Sequence, residues 1–195
     1  MNHEMDALLP GRSGVSMPRL FVGLEVPEYV RFRLALLSEP IPGTKWIDAD
    51  SMHITLRFAA DIDNRKADEL VGFLDEISAP PFEIRIGELG AFGGNEPRTI
   101  HVDVDGGEQL QYLHRATERA ARSAGLAPET RAFKPHITLA RLRGTRPQHV
   151  AHFLGSRADL KIEPFPVERF VLFSSRPRLG GGPYVVENVF PLALG

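Results

Sequence analysis

The sequence predicts a fold of mixed helices and strands built as two similar lobes about an approximate two-fold axis. Three observations carry this. Stretches alternating apolar and polar residues with a period of two take turns with stretches whose apolar residues recur at helical spacing. The order strand, helix, strand, helix, strand is completed before residue 99 and begins again at Thr99. Each half also contains the tetrapeptide His-Ile-Thr-Leu, at His53 to Leu56 and at His136 to Leu139.

The elements follow in order. Leu20, Phe21, Val22 and Leu24 mark a buried strand over 19–25, and Pro27 opens a helix that runs to about Ser38 and ends before Pro40 to Gly43. A short segment holds Trp46. From Met52 to Phe58, His53, Thr55 and Arg57 alternate with Ile54, Leu56 and Phe58, which predicts a strand with one polar face. Asp63 is placed to cap a helix whose stripe is Ala67, Leu70, Val71, Leu74 and Ile77, and Pro80 and Pro81 stop it. Strands are expected at 82–89 and 99–105, joined through Gly93 and Gly94 by a hairpin or a crossing between lobes. Leu110, Leu113, Ala120, Ala121 and Ala124 line a third helix that Gly125 closes. A strand over 135–142, a short helix over 147–154 and strands at 167–173 and 184–190 complete the chain. Residues 1–17 read as a flexible tail, and 18–195 as a single bilobal domain.

Composition narrows the function. The chain has 195 residues, 43% of them hydrophobic and 25% charged, which is ordinary for a compact domain and excludes disordered and fibrous classes. With 23 Lys+Arg against 25 Asp+Glu, any contact with nucleic acid must be local. The absence of cysteine removes disulfides, thiolate nucleophiles and thiolate metal sites, and points to the cytoplasm. No apolar stretch reaches membrane-spanning length, so no membrane partner is expected, and the chain is expected to be a monomer.

Among seven histidines, chance recurrence of the three residues that follow one of them is about 0.4%. In a strand, residues i and i+2 share a face, so each imidazole has a hydroxyl beside it while Ile and Leu turn inward. Two such pairs across a shared groove form a site for a tetrahedral anion, with hydroxyls donating to its oxygens. In-line substitution at phosphorus needs a base on one side and an acid on the other. Two histidines near neutral pH supply both, and no metal or other cofactor is demanded. A single His on a strand is more often a satisfied core residue; the duplication is what changes the weighting.

The paired His-x-Thr motifs, the second embedded in Arg131-Ala-Phe-Lys-Pro-His-Ile-Thr-Leu-Ala-Arg141, resemble the two-histidine (2H) phosphoesterase superfamily. More narrowly the chain is similar to its RNA 2′,3′-cyclic phosphodiesterase branch, also called 2′-5′ RNA ligases. The likeness runs from Arg19-Leu-Phe-Val-Gly-Leu through Trp46 and both motifs to Ser174-Ser175 and Gly-Gly-Pro-Tyr184. It implies an α+β fold of two antiparallel sheets around a central cleft with helices outside. It also implies metal-independent opening of a terminal 2′,3′-cyclic phosphate on RNA to a 2′-phosphate, with weak joining in reverse. On this resemblance His53 protonates the departing 3′ oxygen and His136 activates water, labels that can be exchanged, and Thr55 and Thr138 bind the phosphate. Two departures stand out: Arg57-Phe58-Ala59-Ala60 replaces the usual Phe-Leu-Gly, and His101 stands where a large apolar residue is common.

Weaker features have blander readings. Between Arg131 and Arg146 lie five basic residues and no acidic one, an edge that attracts anions. Arg131 and Arg141 are candidates for contacting RNA phosphates, although alternation puts Arg141 on the face opposite His136 unless the strand ends or twists there. The same parity makes Phe58 a core residue rather than a base-stacking platform and leaves His101 exposed beside Asp103. Trp46 reads as packing, and His114, His149 and His152 as surface residues on helices. A zinc site from His53, His101 and His136 has no ligand spacing to support it. Gly180 to Gly182 is read as a hairpin connection rather than an anion nest. Two other functions remain open: the same chemistry on a small nucleotide such as an ADP-ribose cyclic phosphate, and a non-catalytic module that binds RNA ends.

Overall fold

The computed structural model describes residues 19–60, 62–175 and 184–193. The tail over 1–17 and the connection at Gly180 to Gly182 lie outside the described residues. The elements are β1 (Leu20–Glu25), α1 (Glu28–Ala35), β2 (Thr44–Trp46), β3 (His53–Ala60), α2 (Asn64–Asp75), β4 (Phe82–Phe92) and β5 (Thr99–Asp105). They continue as α3 (Gly107–Ser123), β6 (His136–Leu142), α4 (Pro147–Gly155), β7 (Phe165–Val167), β8 (Arg169–Ser174) and β9 (Val185–Pro191).

Local chemistry explains the boundaries. The Asp63 side chain accepts a hydrogen bond from the Lys66 amide at 2.8 Å, capping α2. On that helix Leu70 and Leu74 are fully buried, each contributing about 1.5–3 kcal/mol. After α3, Gly125 takes the left-handed conformation with φ +80°. β1 is apolar throughout because it lies between two strands and its residues from Leu20 to Leu24 are all buried. Gly93 and Gly94 have positive φ and turn β4 into β5 as a hairpin.

The strands form one curled antiparallel sheet in the order β7-β4-β5-β6-β3-β1-β8-β9, with β2 beside β6. The sequence leads to an expectation of two sheets; the described strands instead run as one sheet, with β1, β3, β8 and β9 on one side of a narrow junction and β4 to β7 on the other. The junction is a single antiparallel pairing, Ile54 with Ile137. It lies at the second residue of each strand, and beyond it β2 pairs with β6 from Ala140 to Leu142. The third strand of each half joins the opposite half: β4 pairs with β5, and β8 with β1. α3 packs on β3 and α2, and α4 on β4. The strand expected over 167–173 is two strands, with β7 pairing β4 and β8 pairing β1, because the chain changes neighbours at Glu168.

Candidate active site

Ile54 and Ile137 are both fully buried, so the residues flanking them turn to the other face of the sheet. There His53, Thr55, His136 and Thr138 line one cleft of about 670 Å³. The two imidazoles are held in the same way. His53 Nδ1 donates to the Ser51 carbonyl at 2.8 Å, and His136 Nδ1 donates to the Lys134 carbonyl at 2.7 Å. A carbonyl can only accept, so each ring has its proton fixed on Nδ1 and its Nε2 left for a ligand.

Each motif carries a β-bulge at its fourth residue. In β3 the register passes from Thr55 opposite Gly23 to Arg57 opposite Val22, leaving Leu56 as the extra residue. In β6 it passes from Thr138 opposite His101 to Ala140 opposite Ile100, leaving Leu139 as the extra one. A bulge inverts the alternation of everything beyond it. Arg57 and Ala140 therefore turn inward and are buried, while Phe58 and Arg141 emerge on the histidine face and line the cleft. This corrects the parity reading of Phe58, which is 49% exposed rather than core. It also gives the twist that Arg141 needed. The freed carbonyls are both taken up: Leu56 O accepts from His114 Nδ1 at 3.0 Å, and Leu139 O from the Ile47 amide at 2.8 Å. Arg57, turned toward α3, pairs with Glu118 and also donates to the carbonyls of Phe58 and Ala127.

Aromatic rings wall the site. His53 lies 4.7 Å from the Phe21 ring and 5.0 Å from Tyr184, which meets it edge-on. Burial among them lowers the His53 pKa, against the opposing effect of its bond to Ser51; the positive charges of His136 and Arg141 lower it further. Burial thus disfavours the charged form of the His53 ring. Lys45, opposite Arg141 in the β2–β6 pair, also lines the cleft, as does Asp48.

Other candidates are placed differently. Arg131 is not among the cleft residues; its guanidinium and its amide both bond the Glu129 carboxylate at 3.0–3.1 Å, which holds that carboxyl down to about 2. His101 is 3% exposed, not a surface residue. Alternation does put it beside Asp103, with Nε2 3.1 Å from the carboxylate, but Phe92 stacks on its ring at 3.9 Å and His136 covers its edge at 5.2 Å. Gly90 makes the space, since a Cβ there would stand 2.8 Å from His101 Nε2. His114, expected at the surface, instead stacks on Phe133 at 3.8 Å while bonding the bulge. Trp46 does pack on Phe153, yet it also lines the cleft. Sequence reasoning passed over Lys45 and Phe21. The first becomes visible only through the β2–β6 register, and the second is hidden within an apolar run.

Fold, cleft and duplicated motif together define a two-histidine phosphoesterase architecture. The chain belongs to the 2′-5′ RNA ligase superfamily, whose family model matches residues 31–177. Among curated relatives, the RNA 2′,3′-cyclic phosphodiesterase of Bacillus subtilis is 32% identical over 162 residues, 80% of this chain and 87% of its own. The protein of the same name from Aeropyrum pernix is 38% identical over 120 residues, 58% of this chain and 68% of its own. In fold, E. coli LigT complexed with 3′-AMP superposes with a TM-score of 0.71 at 22% identity, covering 90% of this chain and 98% of LigT. TT0787 of Thermus thermophilus superposes with a TM-score of 0.73 at 24% identity, covering 89% and 97%. Among the described residues no helix is long and apolar enough to cross a membrane.

Proposed function

We propose that this protein is an RNA 2′,3′-cyclic phosphodiesterase that opens a terminal cyclic phosphate to a 2′-phosphate and a 3′ hydroxyl, residues 18–195 acting as one domain of approximate two-fold symmetry. The observation that carries the reading is the matched presentation of two imidazoles, each with Nδ1 bonded to a carbonyl and both lining the same cleft. The names of the relatives supply the substrate class.

Thr55 and Thr138 donate to the non-bridging oxygens, and Arg141 and Lys45 offset the phosphate charge. Water attacks phosphorus, the bond from phosphorus to O3′ breaks, one imidazole takes the water proton and the other gives a proton to O3′. The ring proton that is lost and the one that is gained balance over the cycle, so neither a metal nor a redox partner enters. An RNA 5′ hydroxyl in place of water gives a 2′-5′ linkage by the same steps. Each proton transfer contributes about 10²–10⁴-fold.

The test incubates the purified protein, with EDTA present, with an oligoribonucleotide ending in a 2′,3′-cyclic phosphate and resolves the products. Ring opening to the 2′-phosphate is expected, reduced by at least two orders of magnitude in His53→Ala and in His136→Ala. Undiminished turnover in either variant overturns the two-histidine mechanism, and binding without turnover by the unaltered protein would leave only an RNA-end binding module.

A further inference from the structure

We propose that a second groove, at the far end of β6 from the histidines, binds the phosphates of the RNA chain upstream of its cyclic end. The inference rests on the RNA-end reading above and extends it from the reacting nucleotide to the polymer behind it.

The groove encloses about 590 Å³ between the turn before β5 and the loop that enters α4. Three arginines line it: Arg98, Arg143 and Arg146. All three are exposed, and among the described residues none of their side chains forms an ion pair or hydrogen bond. Among the described residues Arg31, Arg57, Arg65, Arg131, Arg157 and Arg169 are each matched to a carboxylate, and three of those that are not are gathered in this one groove. Glu96 is the one acidic residue on the lining, so the groove carries a local excess of two positive charges in a chain whose formal charge is −2. Like charges gathered without partners repel, and a polyanion is the ligand that relieves them.

The backbone fixes the cluster. The Leu142 amide donates to Arg98 O at 2.8 Å, and the Arg143 amide to Gly43 O at 2.8 Å. Gly144, with φ +66°, turns the chain so that Arg146 precedes Pro147, the first residue of α4, whose N-terminal end adds its dipole to the groove. The groove adjoins the cleft. Arg141 lines the cleft and Arg143 the groove, so they lie about 7 Å apart at 3.3 Å per residue. The two residues stand two positions apart along the chain, which places the groove next to the cleft for the following phosphates of one strand. The basic run noted in the sequence is thereby divided: Arg131 is spent on Glu129, Arg141 serves the cleft, and Arg143 and Arg146 join Arg98 outside it.

The experiment compares the unaltered protein with the triple variant Arg98→Gln, Arg143→Gln, Arg146→Gln. Its substrates are adenosine 2′,3′-cyclic monophosphate and a ten-nucleotide RNA bearing a terminal 2′,3′-cyclic phosphate. The unaltered protein is expected to turn over the longer RNA with a kcat/KM at least tenfold higher at low salt, and the variant to lose that advantage while keeping its rate on the mononucleotide. Three lost phosphate contacts should also lower the slope of log affinity against log salt by about 2, at roughly 0.7 per contact. The groove is refuted if the variant keeps the advantage of the longer RNA, or if the unaltered protein shows none. Fluorescence anisotropy with the same RNA tests the groove apart from chemistry: salt-dependent binding that the variant loses supports it even if neither substrate is hydrolysed, a result that would count against the enzymatic reading alone.

Discussion

Replacing Arg57 tests whether α3 holds the first bulge in place. The side chain is 7% exposed and Glu118 20%, so their ion pair is largely withdrawn from water. In Arg57→Ala the Glu118 carboxylate keeps, among the described residues, the Glu129 amide at 3.2 Å, and the carbonyls of Phe58 and Ala127 lose a charged donor. Breaking a buried pair by removing one partner costs about 3–5 kcal/mol. The partial exposure of Glu118 places this case near the lower figure, about 3 kcal/mol, which for a chain of this length lowers Tm by about 6–12 °C. Thermal and urea unfolding followed by circular dichroism measure both quantities. The double variant Arg57→Met, Glu118→Met should recover more than half of the loss, because a charge with no partner is what costs most, not the absence of an ion pair. A fall in Tm under 2 °C in Arg57→Ala, or a double variant no more stable than the sum of its singles, would show that the clamp does not hold the strand.

Three further outcomes are expected. Arg141→Ala should raise KM for cyclic-phosphate RNA about tenfold with little change in kcat, the signature of a lost charged hydrogen bond to a phosphate; steady-state kinetics measure it. Gly23→Ala should destabilise by about 1–3 kcal/mol, seen as a lower urea midpoint, since a Cβ there would stand 2.6 Å from Ile54 O, between the first His and Thr. Stability should rise with pH between 5.5 and 7.5. Burial is the leading cause that holds the pKa values of His53, His101 and His114 below 6.5, so the unfolded chain binds more protons in this window and acid favours it. Urea midpoints taken across the window that stay level, or move the other way, would contradict that.

Much of this was legible in the sequence because local chemistry decided it. The Asp63 cap, the closing Gly125 and the alternation of β5 each depend on residues within a few positions, and the sequence suffices for each. The two His-Ile-Thr-Leu copies were visible because a repeat can be seen without coordinates. What alternation does not carry is non-local. An extra residue in a strand leaves no mark on an alternating pattern, so alternation alone puts Arg57 and Phe58 on each other's faces, and Arg141 on the wrong one. Alternation places His101 beside Asp103, but the Gly90 and Phe92 that enclose it sit on β4, paired from about ten residues earlier. Whether an arginine is free or matched likewise depends on partners such as Glu118, 61 positions away from Arg57.

A pocket made by repeating one motif cannot, from the repeated parts alone, distinguish head from tail in whatever enters it. Here the seats five places after each histidine are equivalent in the backbone yet hold an aromatic ring on one side and a cation on the other. Those two unlike occupants, Phe58 and Arg141, add to the aromatic wall beside His53 and the Lys45 cation beside Arg141 in giving the cleft a direction, so exchanging them would weaken its preference for one orientation of an asymmetric ligand.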